Sequence, residues 1–494
     1  MFWMTHLLLL FSYTALLWVI GAAYFALIIA MIVSVLSENR NPVRSIAWVT
    51  ALLLFPVGGA VLYYFFGRSL RNVRMISRRN RRKLLNSDAQ KPMGKLHGGV
   101  SADDRRCMRL LYSVADSQVY ADNTIRIFSD GQSHFDALFE DLSKARHFIN
   151  IQFYIIANDD LGRRLRDILI ERAAAGVKIR VIYDYIGSFD ARRRDFFMRM
   201  KGAGIEVHSF FRVRFPEKLN RLNWRNHRKV VVIDGVTGYI GGMNVAERYI
   251  DGGRRFKGWR DTAVRITGSA VAGLQYNFAV DWKFMGHELL VDELPVHSAE
   301  ADDCVKTDDS VDGVTVQLVT SGPMDRWGNA SMLFMRAISQ AEKRIFIQTP
   351  YFLPSDGLLT ALQCASLSGV DVRIMIPLKS DTSLLTHASF SYVEECLLAG
   401  IKILLYDGGM LHAKTLVVDD DFSTIGSVNF DFRSFEHNFE ENVVMYSREI
   451  NQRLAECFIN DSAVCRRPKI GEWARRPRSM KIKQALARLL SPIL

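Results

Sequence analysis

The chain has 494 residues, 49% of them hydrophobic, and carries 64 Lys and Arg against 52 Asp and Glu, a net charge of +12. This length and apolar content allow two domains with sizeable cores plus a membrane segment, and the positive balance points to an anionic partner, nucleic acid or an acidic lipid surface. The six cysteines show neither CxxC nor metal-ligand spacing, which speaks against a disulfide framework or a zinc centre and fits reduced thiols in a cytosol-facing protein.

Residues 7–36 form an uncharged, mainly apolar run. As a helix this run is roughly 45 Å long, more than a bilayer core requires. No Lys or Arg precedes it and no cleavage site follows, so it reads as a membrane span rather than a signal peptide. A polar link over 37–44 leads to a second apolar run, 46–66, with Pro56-Val57-Gly58-Gly59 inside it. The expectation is a two-helix transmembrane hairpin over residues 1–66. Arg68, Arg71, Arg74, Arg78, Arg79, Arg81, Arg82 and Lys83 follow with no acid among them. The positive-inside rule puts this basic end, and everything after it, in the cytoplasm. The same charges attract acidic lipid.

The remainder divides by composition and repetition. A basic, polar linker covers 67–105 and a first catalytic half 106–288. An acidic linker (289–315) separates it from a second half (316–465), and a basic tail (466–494) follows. The tail reads as an amphipathic helix that lies on a membrane, or as a solvated basic end.

The two halves contain one motif written twice. His227-Arg228-Lys229 runs on to Asp234, and His412-Ala413-Lys414 to Asp419, each reading His-x-Lys-x4-Asp. After six intervening residues come Gly241-Gly242-Met243-Asn244 and Gly426-Ser427-Val428-Asn429. One such match would carry little weight, but two with the same tail do. Both copies sit in β-branched runs that read as buried strands, where residues two apart share a face. His227 and Lys229 are therefore expected on one face, and His412 and Lys414 likewise. Upstream segments repeat too: Ile149-Asn150-Ile151-Gln152 matches Ile345-Phe346-Ile347-Gln348, and Gly176-Val177-Lys178-Ile179 matches Gly369-Val370-Asp371-Val372. This is one α/β domain duplicated, and a pseudo-twofold axis between the copies can put both histidines in one cleft.

The repeated motif resembles that of the phospholipase D superfamily. The N-terminal hairpin, Trp259-Arg260-Asp261-Thr262 and the ending Leu489-Leu490-Ser491-Pro492-Ile493-Leu494 narrow the resemblance to the bacterial cardiolipin synthases. The resemblance implies a phosphohistidine intermediate formed by one histidine while the other serves as acid and base. It implies that Lys229, Lys414, Asn244 and Asn429 hold the phosphoryl oxygens, and that an acid downstream of each motif orients its histidine. Glu440 fits that slot in the second half and Asp261 in the first. Asp234 and Asp419 belong to the motif and are counted with the catalytic set, although their strand-end positions suit support better than contact. No carboxylate cluster argues for a metal, and the resemblance implies no cofactor.

The activity it implies is phosphatidyl transfer between two phosphatidylglycerol molecules at the bacterial cytoplasmic membrane, giving cardiolipin and glycerol. A phospholipase D or another phosphatidyltransferase shares the half-reaction. A nuclease fits the charge but neither the apolar spans nor the lack of an aromatic-interleaved basic groove, so nucleic acid is not expected as a partner.

Overall fold

A computed structural model describes residues 2–37, 42–67, 70–71, 73–85, 101–193, 195–212, 223–291 and 309–491. Half of the polar link (38–41), residues 86–100 of the basic linker, 292–308 of the acidic linker and the last three residues lie outside these. The chain forms two units, Met1–Leu70 with Val213–Asn223, and Arg71–Arg212 with Trp224–Leu494.

In the first unit, helix Phe2–Ser37 is apolar around its whole circumference, so it has no solvent-compatible face. Its stretch Tyr13–Ser37 is long enough to cross a membrane. The second apolar run is not one helix. Pro56 lacks the N–H that would continue Pro42–Leu54; the chain breaks at Phe55 and restarts as Pro56–Leu62, ending in a π-turn, Tyr63–Gly67. Neither helical piece alone is long enough to span a bilayer core. Ile28 and Val35 of the first helix pack with Leu52 and Tyr63, and Trp48 meets Tyr63 edge-on at 5.5 Å.

In the second unit the β-branched runs form one sheet whose strand order displays the duplication. From one edge the first half contributes Glu206–Phe210, Lys178–Asp184, Phe148–Phe153, Val230–Ile233, Thr237–Gly241, Ala263–Thr267 and Val119–Phe128. From the other edge the second half repeats the order with Lys402–Tyr406, Asp371–Pro377, Arg344–Gln348, Thr415–Val418, Phe422–Gly426, Glu440–Tyr446 and Ser310–Ser321. The short strand Cys465–Arg466 caps that second edge. The halves join where Val119–Phe128 runs antiparallel to Ser310–Ser321. In each half the three outer strands are parallel, as crossover helices require, and the inner ones antiparallel.

Each half has its own apolar core, one around Leu138, Phe139 and Val181, the other around Leu333, Ile374 and Val393. A third cluster contains residues of both, including Val230, Ile266, Val417 and Val443, and so ties the halves together. The tail does form a helix, Arg478–Leu489, but it is neither loose nor wholly solvated. Arg476 bonds Glu394 at 2.6 Å, Arg488 pairs with Glu395, and Ala487 is buried in the core of the second half.

Candidate active site

The motif histidines lie just before their strands rather than in them. Val230–Ile233 begins one residue after Lys229, and Thr415–Val418 one after Lys414. What fixes these extended segments is pairing between the halves. Asn226 bridges in parallel to Phe439, with His227 N–H donating to the Phe439 carbonyl at 2.8 Å and Phe439 N–H to that of Arg225 at 2.8 Å. The equivalent pairing joins Met410–Leu411 to Trp259–Arg260, with His412 N–H on the Arg260 carbonyl at 2.7 Å. In both places the residue before a motif histidine lies beside the residue before an acid of the opposite half.

The acids are therefore crossed. His227 Nδ1 donates to Glu440 Oε2 at 3.0 Å and to the Ser427 carbonyl at 3.1 Å, and His412 Nδ1 to Asp261 Oδ2 at 2.6 Å. The within-half arrangement expected from sequence, Asp261 serving the first motif and Glu440 the second, is replaced by its exchange. The carboxylate and carbonyl partners only accept, which puts the proton on each Nδ1 and leaves each Nε2 its lone pair; at His412 the Asp261 carboxylate at 2.6 Å sets this against Lys414 Nζ, a donor 2.7 Å from the same nitrogen. The small residues of the motif tail make room for this approach: a Cβ on Gly242 would collide with the Asp261 carboxylate.

Both histidines line one cavity of about 500 Å³, together with Arg225, Asn244, Tyr249, Asn429 and Arg433. His227, Lys229, His412, Lys414, Asp261 and Glu440 are all buried. Burial lowers the pKa of His227 against the pull of Glu440, and burial with the Lys414 charge pushes His412 down to about 3. Burial also depresses Lys229 well below the usual lysine range and brings Lys414 down to about 8. For Asp261 and Glu440 burial acts the other way but is outweighed. Lys414 and His412 hold Asp261 low, and His227 and Lys229 hold Glu440 low. Lys229 Nζ donates to its own His227 carbonyl at 2.6 Å and Lys414 Nζ to that of His412, and Lys414 Nζ also lies 2.7 Å from His412 Nδ1, against the ring.

Asp234 and Asp419 do not enter the cavity. Each sits past the far end of its motif strand with positive φ (52° and 49°), in turns. The Asp234 carboxylate accepts the backbone N–H groups of Arg146, His147 and Phe148, each at 2.8 Å. Asp419 takes the equivalent groups of Glu342, Lys343 and Arg344 at 2.7–3.0 Å. The motif aspartates thus clamp the start of the neighbouring strand, which corrects their inclusion in the catalytic set. Asp234→Ala is expected to cost about 2 kcal/mol of stability, reduced from the full value of a charge-assisted set by its partial exposure. Chemical denaturation measures this, with activity per folded molecule nearly unchanged.

Asn244 and Asn429 do line the cavity, but their amides are engaged within the protein. Asn244 Nδ2 donates to the Tyr249 hydroxyl at 2.5 Å and its Oδ1 accepts from Ile155 N–H. Asn429 bonds the Asp431 side chain. Sequence reasoning missed Arg225, held by Asp184 at 3.2 Å, and Arg433. It also missed the rings against the histidines: Tyr154 at 5.1 Å from His227, and Tyr249 at 5.5 Å from His412. Arg225, two positions before the motif histidine, was the available signal.

A family model described as "Cardiolipin synthase, PLD-like domain" matches residues 138–282 and 334–462, and one described as "Phospholipase_D-nuclease N-terminal" matches 26–68. The chain is similar to the major cardiolipin synthase of Bacillus subtilis (strain 168), 38% identical over 479 residues, covering 94% of this chain and 97% of that one. The chain belongs to the cardiolipin synthase family of the phospholipase D superfamily. A cardiolipin synthase of Geobacillus kaustophilus (strain HTA426) is 34% identical and matches across 100% of this chain and 95% of its own length. The fold also resembles that of a solved phosphatidylserine synthase of Haemophilus influenzae Rd KW20. That match has a TM-score of 0.58 at 13% identity, covering 79% of this chain and 99% of the other.

Proposed function

We propose that the chain transfers a phosphatidyl group from one phosphatidylglycerol to the primary hydroxyl of a second, releasing glycerol and forming cardiolipin. The observation that carries the mechanism is the pair of crossed histidine–carboxylate contacts opening on one cavity. Nε2 of one histidine attacks phosphorus; the N–P bond forms, the P–O bond to glycerol breaks, and the other histidine gives glycerol its proton. That second histidine then takes the acceptor's proton as the acceptor oxygen attacks phosphorus and the N–P bond breaks. Lys229 and Lys414 hold the nonbridging oxygens.

Charge balance supports this division of labour. With both lysines and both carboxylates ionised and both histidines neutral, the six groups sum to zero. The diester brings one negative charge, which favours one proton in return, on the histidine that is to act as acid. The two pairs lie in different surroundings: each lysine donates to the carbonyl of its own motif histidine, but only Lys414 also stands against the imidazole ring.

We place the catalytic halves at 106–288 and 316–465. Helix Phe2–Ser37 spans the bacterial cytoplasmic membrane, and the broken second run completes a hairpin that leaves the basic segment and both halves in the cytoplasm. Donor and acceptor are both bilayer lipids, so an anchor holds the cavity where they are concentrated. The test is headgroup exchange on phosphatidylglycerol vesicles, with release of glycerol and formation of cardiolipin followed by mass spectrometry and an oligonucleotide as control substrate. Phosphatidic acid alone would make the protein a hydrolase, and oligonucleotide cleavage would overturn the lipid reading.

The pH dependence follows from the depressed values. A histidine held low stays neutral, and nucleophilic, well below pH 6.5. Lys414 works as a cation and loses its proton as pH rises through about 8. For free enzyme, kcat/KM is therefore expected to fall as pH rises toward neutrality, because the histidine that acts as acid is held low and must take up a proton, and to fall more steeply above about pH 8 as Lys414 loses its charge. A rate still climbing at pH 10 contradicts this.

A further inference from the structure

Side chains alternate along an extended segment, so Arg228, between His227 and Lys229, points away from the catalytic cavity. It lines a second cavity of about 790 Å³ that none of the catalytic histidines or lysines reaches. The wall is drawn from both halves, with Tyr276 and Asn277 from helix Ala270–Phe284 and Asp325 and Arg326 from the chain after strand Ser310–Ser321. A further part comes from the segment that follows the apolar N-terminal helices in sequence, including helix Arg78–Leu85, and from residues 114–118.

The charge in this cavity is one-sided. Six arginines (71, 74, 78, 81, 228 and 326) face two acids, Asp116 and Asp325, and neither lysine nor glutamate lines it. Arg81 pairs with Asp116, and Arg228 is held by Asp281 at 2.7 Å. Burial pushes the Asp325 carboxyl up to about 7, so it offsets only part of the positive charge near neutrality. Beside the arginines the wall is apolar, with Val73, Met75, Ile76 and Met324. Guanidinium groups next to an apolar surface match a phosphate ester that carries acyl chains.

We propose that this cavity binds the phosphate headgroup of an anionic phospholipid, as a second lipid site distinct from the one that does the chemistry. It rests on the reading of the protein as an enzyme working on anionic membrane lipid. The occupant would sit one residue along the chain from the catalytic groups. Arg228 Nε donates to the Glu440 carbonyl at 3.2 Å, and Glu440 holds His227, so the site is joined to the acid that orients a catalytic histidine.

The test uses full-length protein in zwitterionic detergent micelles, titrated by calorimetry with dihexanoyl phosphatidic acid and, in a separate arm, with inorganic phosphate. Wild type is expected to show two binding events, one in each cavity. Arg74→Glu/Arg78→Glu should lose the second, weakened roughly tenfold per arginine, and keep the first. Arg74→Gln/Arg78→Gln should weaken it less. Arg475→Glu/Arg478→Glu, an equal charge change in the tail, should leave both events intact. Inorganic phosphate matching the lipid in affinity would identify the occupant as free phosphate at the same arginines; much weaker binding identifies the lipid. A single event in wild type, or equal losses in the tail variant, overturns the proposal. Cardiolipin formation is measured on the same wild-type preparation. Its absence with both binding events present would refute the transferase reading and leave this site standing.

Discussion

Replacing His227 or His412 with alanine is expected to lower cardiolipin formation by roughly 10⁴-fold or more, as removal of one member of a nucleophile and acid–base set does in other covalent catalysts. Both residues belong to the second unit, so membrane insertion through residues 1–66 should be unaffected. The two losses have different causes, and a modified substrate separates them. The nucleophile is needed for any donor, whereas the acid is needed only while the leaving oxygen is a poor leaving group. With a phosphatidyl donor whose headgroup is a nitrophenol, which leaves without a proton, the first half-reaction should recover in one alanine variant and not in the other. The recovered variant should also accumulate a phosphohistidine on the remaining histidine, since the acceptor's general base is missing. Recovery of both variants, or near-normal transfer by either on phosphatidylglycerol, would refute the two-histidine mechanism.

Much of this architecture is legible in the sequence. The repeated strand runs gave the duplicated α/β halves, because hydrophobic periodicity and the paired Gln152 and Gln348 segments are local properties of the chain. The shared cavity followed from doubling alone. The crossing of the acids did not. It depends on backbone pairing of Asn226 with Phe439 and of Leu411 with Arg260, contacts between residues far apart in sequence that no local pattern records. The motif aspartates misled for a related reason. Their spacing from the histidine is fixed, but the requirement behind it is a turn that returns three backbone N–H groups, not chemistry at phosphorus. The second apolar run was legible as apolar; that Pro56 would split it into two short helices depends on what the surrounding chain tolerates.

The crossing has a direct experimental consequence. Asp261→Asn is expected to reduce turnover by roughly 10³–10⁴-fold through the wrong imidazole tautomer. Asp261 Oδ1 accepts the Thr262 N–H at 2.7 Å, so an asparagine keeps its oxygen there and turns its NH2 toward His412. His412 Nδ1 must then accept, its proton moves to Nε2, and the lone pair is lost. The other close neighbour of that nitrogen, Lys414, is itself a donor and cannot restore the tautomer. Glu440→Gln creates the same conflict at His227, because Asn438 Nδ2 donates to Glu440 Oε1 at 3.1 Å and fixes the glutamine's orientation. There, however, the Ser427 carbonyl remains at 3.1 Å to accept the Nδ1 proton, so the loss should be about tenfold to a hundredfold smaller. The nitrophenol donor then tests the pairing itself. Asp261→Asn should respond as His412→Ala does, and Glu440→Gln as His227→Ala does, each acid sharing the behaviour of the histidine in the opposite half. If each acid instead followed the histidine of its own half, the contacts at 2.6 and 3.0 Å would not be those that operate during turnover.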